Sequence, residues 1–419
     1  MQKTDEIYDV AVIGGGPAGM MAAGRAGELG AKVILLEKNV LLGKKLLITG
    51  KGRSNVTKAD FEPKGFVKNY GREGDFLLYP LSVFGVKETI DFFEKRGLGL
   101  KTERGKRVFP ETDRSEDVLR TMESYLKKSM VKVRFRAQVR DIFKKGNKIS
   151  KLILKEEKEV LAKNYIICTG GKAFPGTGSD GDGYKWTKKM GHTLIEPSPA
   201  LVPLKIKEDW PKDAQGLSLK NIKLIVFQNK KKKDSRFGEL LFTHFGISGP
   251  IVLDLSGEIG NLLKKGRVNL RLDLKPALDL QTLDKRIQSD FENAGEKELK
   301  NSLGDLLPQK LIAIVIKLSG ISPKKRVREI TGAERRRMAE LLKGLEMEVS
   351  SLLGFGAAII TKGGVSLKEI ESKTMKSKII SNLFFAGEII NLDGPTGGYN
   401  LQLCWTTGYL AGQNSTRQL

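Results

Sequence analysis

The chain is poor in the residues that carry most side-chain catalysis and cross-linking. Of its 419 residues only two are cysteines, Cys168 and Cys404. That is too few for a disulfide framework, so a reducing, cytoplasmic setting is expected. Only two are histidines, His192 and His244, and no spacing reads as a metal site. Long apolar runs are missing too. Stretches such as Leu311 to Ile316 fall far short of the roughly 20 residues a membrane span needs. The polar opening, Met1 to Ile7, followed by a short apolar strand, does not read as a signal peptide. Acid is scarce: 49 Asp and Glu stand against 73 Lys and Arg, a net charge of +24. A field of that size favours polyanions through counterion release.

The basic excess is clustered. Lys127 to Lys148 holds nine basic residues against Asp141, Lys230 to Lys233 is unbroken lysine, and Lys324 to Arg337 holds seven basic residues against two acids. Either these clusters meet a polyanion or they are the solvated surface of a lysine-rich protein; composition does not separate the two. Hydrophobic and charged contents of 40% and 29% are those of a globular chain, and the length admits two or three domains.

The most informative segment is "YDVAVIGGGPAGMMAAGRAGELGAKVILLEK". Tyr8 to Ile13 reads as a buried strand, Ala18 to Leu29 as a small-residue helix and Lys32 to Leu36 as a second strand. Gly14, Gly16 and Gly19 fall on G-x-G-x-x-G between the first two. Gly14 allows the sharp turn, Gly16 lets backbone N–H groups reach a pyrophosphate, and Gly19 lets helix and strand pack closely. The anion then sits on the positive end of the helix. Glu37, 18 residues beyond Gly19, is placed to bond a ribose hydroxyl.

"GKKLLITGKGRSNVT", Gly43 to Thr57, combines cations with amide and hydroxyl donors and no acid. It reads as a ligand-wrapping loop or as a solvated basic one. Ser115 to Lys128 is periodic as a helix. "VKVRFRAQVRDIF", "KISKLILK" and "EVLAKNYIICTGG" read as a three-stranded meander whose last strand ends in Thr169-Gly170-Gly171. Composition changes near Pro197. "ALVPLKI", "NIKLIVFQ" and "RVNLRLDL" read as short strands, with "FTHFGISGP" as a turn-rich interruption. Thr282 to Leu318 and Ala333 to Leu345 read as helical. "KGGVSL" and "NLFFAGEII" return to strand, and "LDGPTGGYNLQLCW" brings glycines ahead of a helix-like run. The middle is therefore expected to be an insertion, with both ends forming one domain.

Several of these stretches, in this order, resemble flavoproteins with two dinucleotide-binding folds, and more narrowly the BaiN/YhiN-like, aminoacetone-oxidase-type FAD-binding flavoproteins. They are "GGGPAG", "GKKLLITGKGRSNVT", "TGGKAFPGTGSDGDGY", "ALVPL", "FTHFGISGP", "TKGGVSLKEI", "KTMKSK" and "FFAGEIINLDGPTGGYNLQ". The resemblance implies an α/β fold: a Rossmann-like FAD-binding domain from residues 1–193 and 351–419, an inserted β-barrel-like domain from 194–276 and 326–350, and a small helical insert at 277–325. It implies FAD contacts at Gly14, Gly16, Gly19, Glu37, Lys38, Lys45, Thr169, Gly170, Gly387, Glu388, Gly397, Gly398, Asn400 and Leu401. It also implies that Val139 meets the adenine through its backbone. The family pattern often has a third glycine in the basic loop and a cysteine after its arginine. Lys51 and Ser54 stand there instead, which removes thiol chemistry from that loop.

No second G-x-G-x-x-G follows a strand, so NAD(P)H is expected as a transient electron donor rather than a resident of its own domain. No side chain stands out as acid or base. His244, Cys404 and Tyr399 are the candidates; each has a packing role as its alternative. Three functions compete: an rRNA uridine reductase forming dihydrouridine, a small-molecule oxidoreductase (amine oxidase or enone reductase), and a non-catalytic RNA-binding or assembly protein that retains FAD. The sequence leaves oligomeric state, substrate and nicotinamide preference open.

Overall fold

The run from Val10 to Ile13 carries no charge and is buried, as a strand covered on both faces requires. It is the end of β1 (Ile7–Ile13), the centre of a seven-stranded sheet. The computed structural model describes residues 6–417; the opening residues 1–5, read above as polar, lie outside them with 418–419. β1 is followed by α1 (Pro17–Glu28) and β2 (Val33–Leu36), which returns parallel to β1 with Val10 opposite Val33.

The segment read as the first strand of a meander is divided. β3 (Lys132–Arg134) pairs parallel with β2 at the sheet edge, after helix α2 (Ser115–Lys128). The meander itself is β4 (Val139–Lys145), β5 (Lys148–Leu154) and β6 (Glu159–Ile167). The division falls at Arg136, whose φ of 53° breaks the strand. After β6 comes helix α3 (Asp182–Lys189); β6 itself runs parallel to β1, Ile13 opposite Ile167. Its other edge is shared: β5 pairs with its first residues and, later in the chain, β13 (Leu383–Phe385) pairs with its last ones.

The chain forms two compact units. One runs up to Pro199 and resumes at Ala358; the other is Ala200–Ala357, against expected boundaries at 193/194 and 350/351. The second unit holds a closed barrel of β7 (Leu204–Ile206), β8 (Ser218–Gln228), β9 (Lys231–Thr243), β10 (Gly246–Ser248), β11 (Val268–Asp273) and β12 (Leu345–Leu352). "FTHFGISGP", read as an interruption, supplies the end of β9 and all of β10, which pair as Thr243 opposite Gly246. α4 (Pro250–Leu263) follows and buries Ile251, Val252, Leu255 and Ile259 in the barrel's apolar cluster. Helices α5 (Leu280–Ala294), α6 (Gln309–Ser319) and α7 (Gly332–Lys343) share that cluster, so barrel and helices have one core.

The last described element is α8 (Tyr399–Thr416). It lies against α1 with almost no space between backbones. A Cβ on Gly408 would come within 2.5 Å of the Ala18 carbonyl oxygen, and one on Gly412 within 2.3 Å of that of Ala22. These pairings advance together, so the two helices run in the same direction and open at the same end. Among the described residues, no helix is long and apolar enough to cross a membrane.

Candidate active site

The starts of α1 and α8 share two properties. Neither has a side-chain cap, and neither has an acidic residue in its first turn. Both starts are therefore positive helix ends that attract an anion or a carbonyl. At α1, a Cβ on Gly19 would sit 1.8 Å from the Gly14 carbonyl oxygen, whereas one on Gly16 would meet nothing within 4 Å. Gly19 holds the helix against its own loop, and Gly16 borders open space. Gly397 and Gly398 repeat the contrast. Both have left-handed φ angles, 110° and 103°; Gly397 borders open space, but a Cβ on Gly398 would lie 2.4 Å from the Thr57 carbonyl carbon.

Glu37 follows β2 and is almost fully buried. Its carboxylate accepts from the Gly15 N–H at 2.8 Å and from the backbone and side-chain amides of Asn39 at 2.7 Å each. It thus holds the glycine loop. Val139, the first residue of β4, is buried beside it: Ala137 N–H donates to the Glu37 carbonyl at 2.9 Å. Lys38 is not a free cation. It pairs with Asp180 at 2.7 Å and Asp182 at 3.5 Å, and Asn39 Nδ2 donates to the Thr177 carbonyl at 3.2 Å. Together these tie the Thr177 to Asp182 segment to the end of β2.

At the other end, Gly387 follows β13 with a φ of 78°, its Cα facing Ala18 and Cys404. Glu388 accepts from the Thr361 N–H at 2.8 Å and pairs with Lys45 at 3.3 Å. Thr361 Oγ1 in turn accepts from the N–H groups of Lys172 and Ala173, at 2.8 and 3.0 Å, just beyond Thr169-Gly170-Gly171. The site therefore joins the end of β6, the end of β13, the basic loop and both helix starts.

The basic loop divides its labour. Arg53 binds Glu103 and, at 2.9 Å, Asp113, and stacks 4.1 Å over Phe109, so its charge is spent within the protein. Ser54 and Asn55 follow, and there the buried Ser54 Oγ and Asn55 Oδ1 have no hydrogen-bond partner. Thr169 Oγ1, at the end of β6, is a third such orphan. Buried polar atoms rarely stay unpaired. Three of them, on segments that meet two uncapped helix starts and two open-faced glycines, fit a bound molecule rich in hydroxyl, amide and phosphate groups. FAD has that donor and acceptor set.

Other candidates take packing roles. Asn400 braces its own turn, donating to the carbonyls of Gly394 and Pro395 at 2.8 and 3.2 Å and accepting from the Gly394 N–H at 2.9 Å. Leu401 packs partly buried on the core. The Tyr399 ring is buried against Phe66, 4.8 Å between centroids, and edge-on to Tyr70, with Lys58 at 5.0 Å. Cys404 lies beside Gly387; burial, then the Glu388 charge, pushes its thiol up to about 12, so it stays protonated. Cys168 is core, its thiol pushed well up by burial. His192 is buried, bonds Ser377 Oγ at 2.7 Å, and burial lowers its affinity for a proton. His244 belongs to the barrel unit, exposed on the turn between β9 and β10 with its ring against Phe245.

One titratable group in the closing loop escaped the sequence reading. Burial raises the Asp393 carboxyl above its ordinary range, with Lys362 opposing and Glu388 adding to the shift. In sequence it was only a turn residue ahead of a glycine.

A family model described as the HI0933-like protein Rossmann domain matches residues 8–414. The 3-dehydro-bile acid delta(4,6)-reductase of Clostridium scindens is 31% identical, the match covering 96% of this chain and 98% of that one. The ribosomal RNA dihydrouridine synthase of Haemophilus influenzae is 27% identical over 97% of this chain and 98% of its own length. Among solved structures, the 3-ketosteroid-delta4-(5alpha)-dehydrogenase of Rhodococcus jostii superposes with a TM-score of 0.56 at 15% identity, covering 99% of this chain and 98% of that chain. That likeness supports the fold. The Rossmann-like α/β domain, the closed barrel and the match along nearly the whole length agree: this chain belongs to the HI0933-like family of FAD-dependent oxidoreductases.

Proposed function

We propose that the protein is an NAD(P)H-driven reductase that saturates the C5=C6 bond of a uridine in ribosomal RNA, giving dihydrouridine. The observation that carries this reading is electrostatic. The net charge is +24, and among the described residues Lys220, Lys223 and Lys230 to Lys233 form no ion pair. A small hydrophobic substrate needs no such field, whereas a phosphate backbone does. The names of the two relatives above both denote reduction of carbon–carbon double bonds, one in a bile acid and one in rRNA, which supports the reaction type.

FAD, when bound, supplies the two-electron step between nicotinamide and substrate. The protein's part is position and charge. The first N–H groups of α1, beside Gly16, would hold the pyrophosphate, and Glu37 and the Val139 backbone would hold the adenosine end. Ser54, Asn55 and Thr169 would satisfy their orphan atoms on the cofactor. The start of α8, at Gly397, is a positive helix end that would stabilise negative charge on the bound cofactor. Lys45 keeps the Glu388 carboxylate paired. The double bond gains a hydride that originates on the nicotinamide, which is oxidised, and one proton from solvent. A uridine must be unpaired or flipped out to reach such a site.

The test is mass-spectrometric mapping of dihydrouridine in rRNA from cells lacking the protein. One modified position is expected to revert to uridine and to return on complementation; an unchanged map removes this substrate and leaves the FAD assignment standing. The 31% identity to a bile-acid reductase favours a second reading, a small-molecule double-bond reductase. Anaerobic NADPH-dependent turnover of a 3-oxo-4,6-diene bile acid, with an unchanged rRNA map, would establish that one instead.

A further inference from the structure

Phe237 is 60% exposed in the middle of β9. Its neighbour Gly238 faces the other way, where a Cβ would come within 2.7 Å of Ile251 on α4. Strand alternation therefore commits Phe237 to the outer face of the barrel. Directly opposite it on β8 is Lys223. Ile225 and Phe227 continue the same face of β8, both half-buried, and the Arg271 guanidinium of β11 lies 5.2 Å from the Phe227 ring. This is an aromatic and aliphatic strip on a sheet face that faces solvent.

Its border is cationic. The β8–β9 turn is made by Asn229 and Lys230, with φ angles of 51° and 60°, and projects Lys230 to Lys233, all exposed. A register shift puts Lys220 and Asn221 in a bulge at the other end of the hairpin. The nearby acids Asp234 and Glu346 are taken up by Arg236 and Arg271, at 2.7 and 2.9 Å; Glu239 stands by the bulge. An exposed aromatic ring flanked by unpaired lysines matches the chemistry of a single-stranded nucleic acid: phosphates on the cations and an unstacked base on the ring.

We propose that the outer face of the β8–β9 hairpin docks single-stranded RNA, with a base stacked on Phe237 and the backbone tracked by Lys223 and Lys230 to Lys233. The proposal rests on the RNA reading above. It adds that the barrel's hairpin is where the substrate strand is held.

The test is fluorescence anisotropy of the FAD-loaded protein with a labelled 20-nucleotide oligouridine, across a salt series. Phe237→Ala is expected to weaken binding about tenfold and Phe237→Trp to restore it. A Lys230→Gln, Lys231→Gln, Lys232→Gln, Lys233→Gln variant is expected to flatten the slope of log affinity against log salt by about 3. FAD content and melting temperature confirm that each variant is folded. The proposal is overturned if Phe237→Ala binds like the parent, if the quadruple variant keeps the parental slope, if a duplex RNA of equal length binds as tightly as the single strand, or if the parent does not bind. None of these results decides the rRNA map, so failure of the docking surface is distinguishable from failure of the substrate reading.

Discussion

Two helix starts form the candidate site, and each pairs a packed glycine with an open one. At α1 the packed residue, Gly19, touches the carbonyl of Gly14, five residues earlier in its own loop. At α8 the packed residue, Gly398, touches the backbone of Thr57, most of the chain away. α8 is then held by a buried polar network. Gln402 meets Thr57 Oγ1 at 2.5 Å and donates to Thr89 Oγ1 at 2.8 Å and Thr406 Oγ1 at 3.0 Å, while Trp405 Nε1 donates to the Val56 carbonyl at 3.0 Å. One helix start is built by local geometry, the other by partners brought from elsewhere. A glycine motif does not announce which of its members serves the fold and which serves the ligand.

Substitutions separate the two. Gly19→Val should do the most damage, since its side chain has no room beside the Gly14 carbonyl. A loss above about 4 kcal/mol is expected, read as little soluble protein and no bound flavin. Gly398→Ala should follow, at about 2–5 kcal/mol from overpacking and left-handed strain, seen as a lower melting temperature even in FAD-free protein. If that apoprotein melted like the parent and lost only flavin, the contrast would fail at α8. Gly16→Ala should behave oppositely: apoprotein melting unchanged, FAD affinity down at least about tenfold, or about 1.4 kcal/mol. Full flavin retention there would mean that the open face at α1 is not the cofactor's.

The smallest expected effect concerns Asp393. Its folded-state affinity for a proton is raised, so its contribution is complete below the ordinary carboxylate range and is lost as pH rises through the raised value. Asp393→Asn escapes that loss. Its melting temperature should exceed the parent's by about 1–3 °C at pH 8, and the difference should close toward pH 4. A difference that grew on acidification would reverse the sign and remove the buried-carboxyl description.

The same local-versus-remote division explains what could be read from the sequence. The β1–α1–β2 unit was legible because its glycines, apolar runs and Glu37 act on one another within a short stretch. Helix α2 was legible because its buried face repeats with helical period. The tetralysine read as a charge cluster, yet its last three residues begin β9: pairing with β8 overrides a local preference that lysine does not supply. The Arg53 cation looked available to a ligand until Glu103 and Asp113 were brought to it. The resemblance implies a cofactor contact at Asn400, and in the fold its amide is used on the turn that precedes Gly397 and Gly398. The orphan atoms of Ser54, Asn55 and Thr169 had no sequence signal, since being unpaired is a property of surroundings.

The parallel contact between α1 and α8 has a consequence for synthesis on the ribosome. The barrel unit, Ala200–Ala357, is one continuous stretch and can close as soon as it has emerged. The first glycine loop cannot be completed so early, because β13 and α8 are translated last among the described elements. At about 5–20 residues per second, the interval between Gly19 and Gly398 is about 20–75 s. During that time a nascent chain presents half of a nucleotide site and an uncovered small-residue face of α1. Completion of the site waits until α8 has emerged, and a transcript broken before α8 is expected to give a finished barrel without the second helix start.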